Sequence, residues 1–132
     1  MIRFLDKEIL LHFHADQIKK YGGRPGLRDE SLLESALAQP QATHEGTYLH
    51  KNIYEMAAAY GYHLCQNHPF IDGNKRISLI AMYTFLYVNG YEFKMSEKEI
   101  YLLIMGVANS SISKKELTGF IKQNTFKIKK DP

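Results

Sequence analysis

Apolar side chains recur at helical spacing over six stretches of the chain, and nowhere do they alternate with polar ones for long enough to make a substantial strand. The first helix should start near Asp6, whose carboxylate can accept from the free N–H groups there. It should stop at Gly22, in the turn Gly22-Gly23-Arg24-Pro25-Gly26. A second opens near Asp29, turns Leu32, Leu33, Ala36 and Leu37 inward, and ends before Pro40. Residues Gln39 to Lys51 form a polar connector with room for a short hairpin. Asn52 followed by Glu55 resembles a capping box and opens a third helix carrying Ile53, Met56, Ala57, Tyr60 and Leu64. Pro69 makes helical backbone unfavourable for His68, so this helix ends by Asn67 or His68. A fourth runs from about Asn74 to Asn89-Gly90 with apolar residues on all sides, the pattern of a helix buried on most faces. Ser96 with Glu99 and Ser113 with Glu116 are capping boxes for a fifth and a sixth. The expectation is an all-α chain: a compact bundle of about six helices around a buried central fourth helix, as one domain spanning residues 1–132.

Composition narrows the class. At 132 residues, folding can bury roughly two-thirds of the unfolded surface, so no disulfide or metal staple is required. The single cysteine, Cys65, gives no disulfide framework and suits a reducing cytoplasm. The N-terminal segment is interrupted by Arg3, Asp6, Lys7 and Glu8 and lacks the apolar region of an export signal. The longest mostly apolar run, Ile77 to Val88, is too short for the roughly twenty residues that span a bilayer, so no membrane association is expected. The formal charge of +3 invites a nucleic-acid partner, but its distribution argues against one. Residues 114–132 hold six lysines against Glu116 and Asp131, a net of +4, while residues 1–113 carry a net of −1. The excess reads as a solvated end.

The densest cluster of reactive side chains is His68-Pro69-Phe70-Ile71-Asp72-Gly73-Asn74-Lys75-Arg76, directly before the fourth helix. A helix start offers unpaired N–H groups and the positive end of the helix dipole, a ready site for phosphate. Gly73 lets the backbone approach such an anion, and Asn74 can cap the helix or donate its amide to a phosphate oxygen. Lys75 and Arg76 add two cations at that same end, which is hard to explain without an anion. Asp72 is a hard oxygen ligand suited to Mg²⁺ when phosphates and water complete the shell. His68 is a natural acceptor for a hydroxyl proton near neutral pH. Phe70 reads as the anchor that buries its ring and fixes the loop.

The string H-P-F-I-D-G-N-K-R resembles the signature loop of the Fic/Doc superfamily, and its N-K-R ending resembles the death-on-curing (Doc) toxin branch. Tyr21 to Leu27 resembles that branch's Y-G-G-x-P-G segment, and Phe85 to Gly90 its F-L-x-x-N-G helix end. The resemblance implies a Fic fold, transfer of a phosphate-containing group from ATP to a protein hydroxyl, and a toxin-antitoxin context. It also implies that His68 is the general base, that Asp72 positions Mg²⁺, and that Gly73, Asn74, Lys75 and Arg76 bind phosphates. The Gln39 to Lys51 connector would then be a flap that aligns a target peptide by strand addition, with Tyr48 and Leu49 as candidates.

Members that transfer AMP resemble H-P-F-x-E/D-G-N-G-R-x-x-R, with Gly after Asn and a second Arg. This chain has Lys75 and Leu79 at those positions. The substitutions disfavour AMP transfer. The Doc branch is understood to hold the nucleotide reversed, so that the γ-phosphate meets the target, a threonine of elongation factor Tu, and translation stops. No S/T-x-x-x-E-G/N inhibitory helix is present, because Glu45-Gly46 has Gln41 where Ser or Thr is needed. Inhibition should therefore come from a separate antitoxin with a disordered tail that folds on binding.

Alternatives are an AMP transferase of the Fic type and a non-enzymatic helical binding module that uses the basic end. A P-loop lacks its spacing and its preceding strand. A zinc site from His63, Cys65 and His68 fails because positions 63 and 65 point about 200° apart on a helix. Cys65 reads as a buried filler and His63 as a helix-surface residue. His12, His14, His44 and His50 read as scattered surface histidines.

Overall fold

The computed structural model describes residues 1–129, so Lys130 and Asp131 of the lysine-rich end lie outside the described residues. Its elements are α1 (Lys7–Tyr21), α2 (Glu30–Ala38), a 3₁₀ turn (Gln39–Gln41), β1 (Thr43–His44), β2 (Thr47–Tyr48), α3 (Ile53–Asn67), α4 (Asn74–Val88), β3 (Tyr91–Phe93), α5 (Glu97–Ala108), α6 (Lys114–Gln123) and β4 (Thr125–Lys127). The six helices are the six expected.

Their ends follow from their caps. The Asp6 carboxylate accepts from the Ile9 N–H at 2.9 Å, and Asp29 accepts from Leu32 at 3.1 Å. Ser96 and Ser113 each form a complete capping box with the glutamate three residues on. Asn52 accepts from the N–H groups of Tyr54 and Glu55, but Glu55 returns its carboxylate to the Asn52 amide, not to the backbone, so this cap is only box-like.

The core lies between α3 and α4, whose shared interface is the broadest in the molecule, and α3 also packs on α2, α5 and α6. A Cβ on Gly61 would collide with the Met82 side chain, so this glycine permits the close approach of the two helices. The Ser78 hydroxyl, buried in α4, donates to the Gly61 carbonyl across that contact. Burial of α4 is extensive and ends at its last turn, where Tyr87 and Val88 are exposed. Tyr60 is fully buried beneath the N-terminal segment and its hydroxyl accepts from the Leu5 N–H at 2.8 Å. Burial pushes that phenol up to about 12.

Two small strand pairs complete the molecule. The connector folds into the antiparallel hairpin β1–β2, pairing Thr43 with Tyr48 and His44 with Thr47. Its turn residues Glu45 and Gly46 both have positive φ, 52° and 79°, as a tight two-residue hairpin requires. The second pair, β3 with β4, joins the segment after α4 to the segment after α6. Three residues on each side are too few for alternation to stand out in the sequence. Among the described residues, no helix is long and apolar enough to cross a membrane.

Candidate active site

The segment between α3 and α4 is fixed from both sides. On its own side, the Asn74 amide bonds the Phe70 backbone twice: Oδ1 accepts from the Phe70 N–H at 2.9 Å and Nδ2 donates to the Phe70 carbonyl at 2.9 Å. The expectation of an Asn74 amide donating to phosphate meets a side chain that is buried and already committed, which leaves only its backbone N–H for an anion. The Phe70 ring, 1% exposed, stacks on the His14 imidazole with centroids 3.9 Å apart and planes 10° from parallel. His14 in turn bonds the Asp72 carbonyl through Nε2 at 2.8 Å. This corrects the reading of His14 as a surface histidine: it is 3% exposed, one α-helical turn after the buried Leu10, and its ring clamps the loop.

On the other side runs the glycine-rich turn after α1. Leu27 bridges Phe70, the Ile71 N–H donates to the Gly26 carbonyl, and the Pro69 carbonyl accepts from both Arg28 and Asp29. The Arg28 guanidinium closes the end of α3, donating from Nε to the His68 carbonyl at 2.7 Å and from Nη2 to the Asn67 carbonyl at 2.8 Å. His68 itself is exposed and sits in the left-handed region at φ 48°, a conformation uncommon for a side-chain-bearing residue and sustained here by those braces.

Asp72 projects into solvent with both carboxylate oxygens engaged. Oδ2 accepts from the Arg24 N–H at 3.1 Å and Oδ1 from the Gly73 N–H at 2.9 Å. Those two backbone bonds, the Arg24 one foremost, hold the carboxyl below its usual range, with Arg76 and His14 adding to the effect. It is an ionised oxygen donor at neutral pH. Gly23 lies against it: a Cβ there would stand 2.9 Å from Asp72 Oδ2, at a φ of 120° that side chains avoid.

At the start of α4 the cap residue is Gly73, with no side chain to bond the first N–H groups. Lys75 and Arg76 are exposed on that first turn, and the Arg76 guanidinium lies 5.1 Å from the centroid of the Tyr21 ring. Asp72 to Arg76 form one wall of a cleft of about 510 Å³, and Tyr101, Ile104 and Met105 of α5 form the other. An ionised carboxylate, uncapped N–H groups and two cations at one cleft can hold a polyphosphate and a hard cation. Among the described residues, no group of three or more His, Cys, Asp or Glu side chains is placed to hold a metal ion, so a cation at Asp72 would need ligands from phosphate and water.

Tyr48 and Leu49 lie away from this loop in sequence, on and just after β2. Both are exposed, and the Tyr48 ring packs 5.7 Å from Phe4. His63 differs from its reading as a surface residue. It is half-buried and its Nε2 lies 3.0 Å from Lys114 Nζ. His50 likewise is buried, not on the surface. Sequence reasoning also missed Arg28, the backing role of the glycine-rich turn, and the α5 wall.

A family model described as the Fic/DOC family matches residues 4–86. The chain is 40% identical over 92 residues to "Toxin Doc" of Mycolicibacterium smegmatis, covering 70% of this chain and 68% of that protein. It is 30% identical over 112 residues to "Protein kinase doc" of Escherichia phage P1, covering 85% and 87% respectively.

Proposed function

The chain belongs to the Fic/DOC family, and from that premise we propose that it is the toxin of a toxin-antitoxin pair, a single-domain protein kinase that moves the γ-phosphate of ATP to a target hydroxyl. The target proposed is a threonine of elongation factor Tu, whose modification would halt translation. The observation that carries the choice of reaction is the pair Lys75 and Leu79. Lys75 is exposed on the first turn of α4 beside the cleft, and Leu79, one turn on, packs against the core where an AMP-transferring member would carry an arginine. A cation in the cradle and no second guanidinium favour a terminal phosphoryl group over the α-phosphate. The phage relative, named a protein kinase, agrees.

In this reading His68 accepts the proton of the target hydroxyl as it attacks. The backbone N–H groups of Asn74 to Arg76, approached past the side-chain-free Gly73, and the Lys75 and Arg76 side chains hold and neutralise the phosphates. Asp72 is the residue that would hold Mg²⁺, which when bound supplies further charge neutralisation. Asn74 acts through Phe70, keeping the loop in place. The open edges of β1 and β2, with Tyr48 and Leu49, align the target segment by strand addition. The antitoxin is a second chain whose disordered tail orders on the toxin.

The test offers elongation factor Tu, Mg²⁺ and γ-labelled ATP to the parent and to His68→Ala. Label on the factor with the parent, and its loss in a folded His68→Ala, are expected. Equal labelling by both would remove His68 from the chemistry.

A further inference from the structure

Away from the first turn of α4, a second polar cluster plays no part in the phosphotransfer scheme. A cavity of about 610 Å³ between α3 and α6 is lined by His50, Glu55, Lys114, Lys115 and Lys122, among others. Three lysines against one carboxylate leave two positive charges in excess. Among the described residues none of these lysines forms an ion pair. Glu55, the one acid at hand, is engaged with the Asn52 amide instead.

Two histidines deepen the imbalance. His50 is 9% exposed, its Nδ1 is shielded from solvent, and the Gln39 backbone lies near enough to the ring to favour its charged form. His63 Nε2 lies 3.0 Å from Lys114 Nζ, so with Lys114 charged it must be the acceptor. Burial, followed by Lys114, holds both imidazoles below their ordinary value, His63 at about 4, and burial also lowers Lys114. Lys114 makes charge on both imidazoles more costly, the situation that a bound anion reverses.

We propose that this cavity is a phosphate-class oxyanion site in which Lys114, Lys115 and Lys122 supply the charge, with His50 in its wall and His63 against Lys114 as the rings that sense the ligand. Two excess positive charges match a phosphate dianion. His50 lies two residues beyond β2, so an anion held there joins the base of the hairpin to α3 and α6.

The test uses the full chain labelled with ¹⁵N and follows the ring nitrogens of His50 and His63 by NMR at pH 7. Sodium phosphate is added against sodium chloride at constant ionic strength. A saturable shift of both rings is expected, and Lys114→Met should raise its half-saturation concentration at least about tenfold. Lys122→Met, on the exposed rim, should raise it several-fold and serves if the first variant loses its fold. A second arm replaces phosphate with AMP: saturation at lower concentration assigns the site to a nucleotide-borne phosphoryl group, and equal or weaker binding assigns it to free phosphate. Absence of saturation with both ligands, or parent-like saturation in the folded variants, overturns the proposal. The His68 ring reports separately on the cleft at α4, so failure here leaves the kinase reading untouched.

Discussion

The loop from His68 to Arg76 and the hairpin from Thr43 to Tyr48 both present exposed residues to other molecules, yet the chain holds them in opposite ways. The loop is bonded to α1 through His14, to the glycine-rich turn through backbone pairs, and to itself through Asn74. The hairpin has two residues per strand, all exposed, with Ala42 and Leu49 closing its base by one backbone bond. Charge placed on a fixed loop needs little reorganisation when a phosphate arrives, which is how electrostatic catalysis gains its strength. A short two-stranded edge with unpaired N–H and C=O groups is marginal alone and completes its hydrogen bonding with a partner's strand.

Substitutions can break that contrast from the loop side first. His68→Ala should lower phosphotransfer about 10²- to 10⁴-fold with an unchanged urea midpoint, since the side chain is exposed. Asn74→Ala should cost about 2–5 kcal/mol of stability, because it strips partners from the buried N–H and C=O of Phe70, and urea unfolding would show it. Gly23→Ala should cost about 1–3 kcal/mol through its positive φ and should weaken Mg²⁺-dependent transfer by pressing on Asp72.

Acid should sharpen the contrast. Asp72 has a lowered pKa, so its brace is fully present above the unfolded value of 3.8 and is lost only as pH falls below that. His63 is lowered from 6.5 to about 4, so between those values the unfolded chain binds more protons and stability rises with pH. His50, at the base of the hairpin, shifts in the same direction. Urea midpoints should therefore fall from pH 6.5 to pH 4 while the Asp72 bonds persist, and His63→Gln should flatten that slope. The smallest effect belongs to the hairpin: Leu49→Ala should change stability by less than about 0.5 kcal/mol and raise KM for the protein target without altering turnover on ATP.

Five of the helices were legible because each carries its own side-chain start signal within four residues, as Ser113 and Glu116 do for α6, whereas α4 starts at Gly73 without one and showed itself by its apolar run. The loop's candidate residues were legible because they are contiguous. What escaped depends on contacts distant in sequence. His14 meets Asp72 across 58 positions and Arg28 meets His68 across 40. One trace existed for His14, its place four residues after Leu10 on the buried face of α1. Asn74 shows the opposite limit: its side chain can either cap, fix a loop or donate to phosphate, and only packing decides which. The pairing of β3 with β4 joins segments more than thirty residues apart, and neither alone has a strand's pattern.

The proposed reaction turns on which phosphorus of ATP reaches the target. Elongation factor Tu incubated with the protein, Mg²⁺ and ATP carrying distinguishable labels at the α- and γ-phosphates should acquire the γ label alone. Lys75→Gly, which removes the cation from the first turn of α4, should lose most of that transfer. Arrival of the α label with the parent protein would contradict the account.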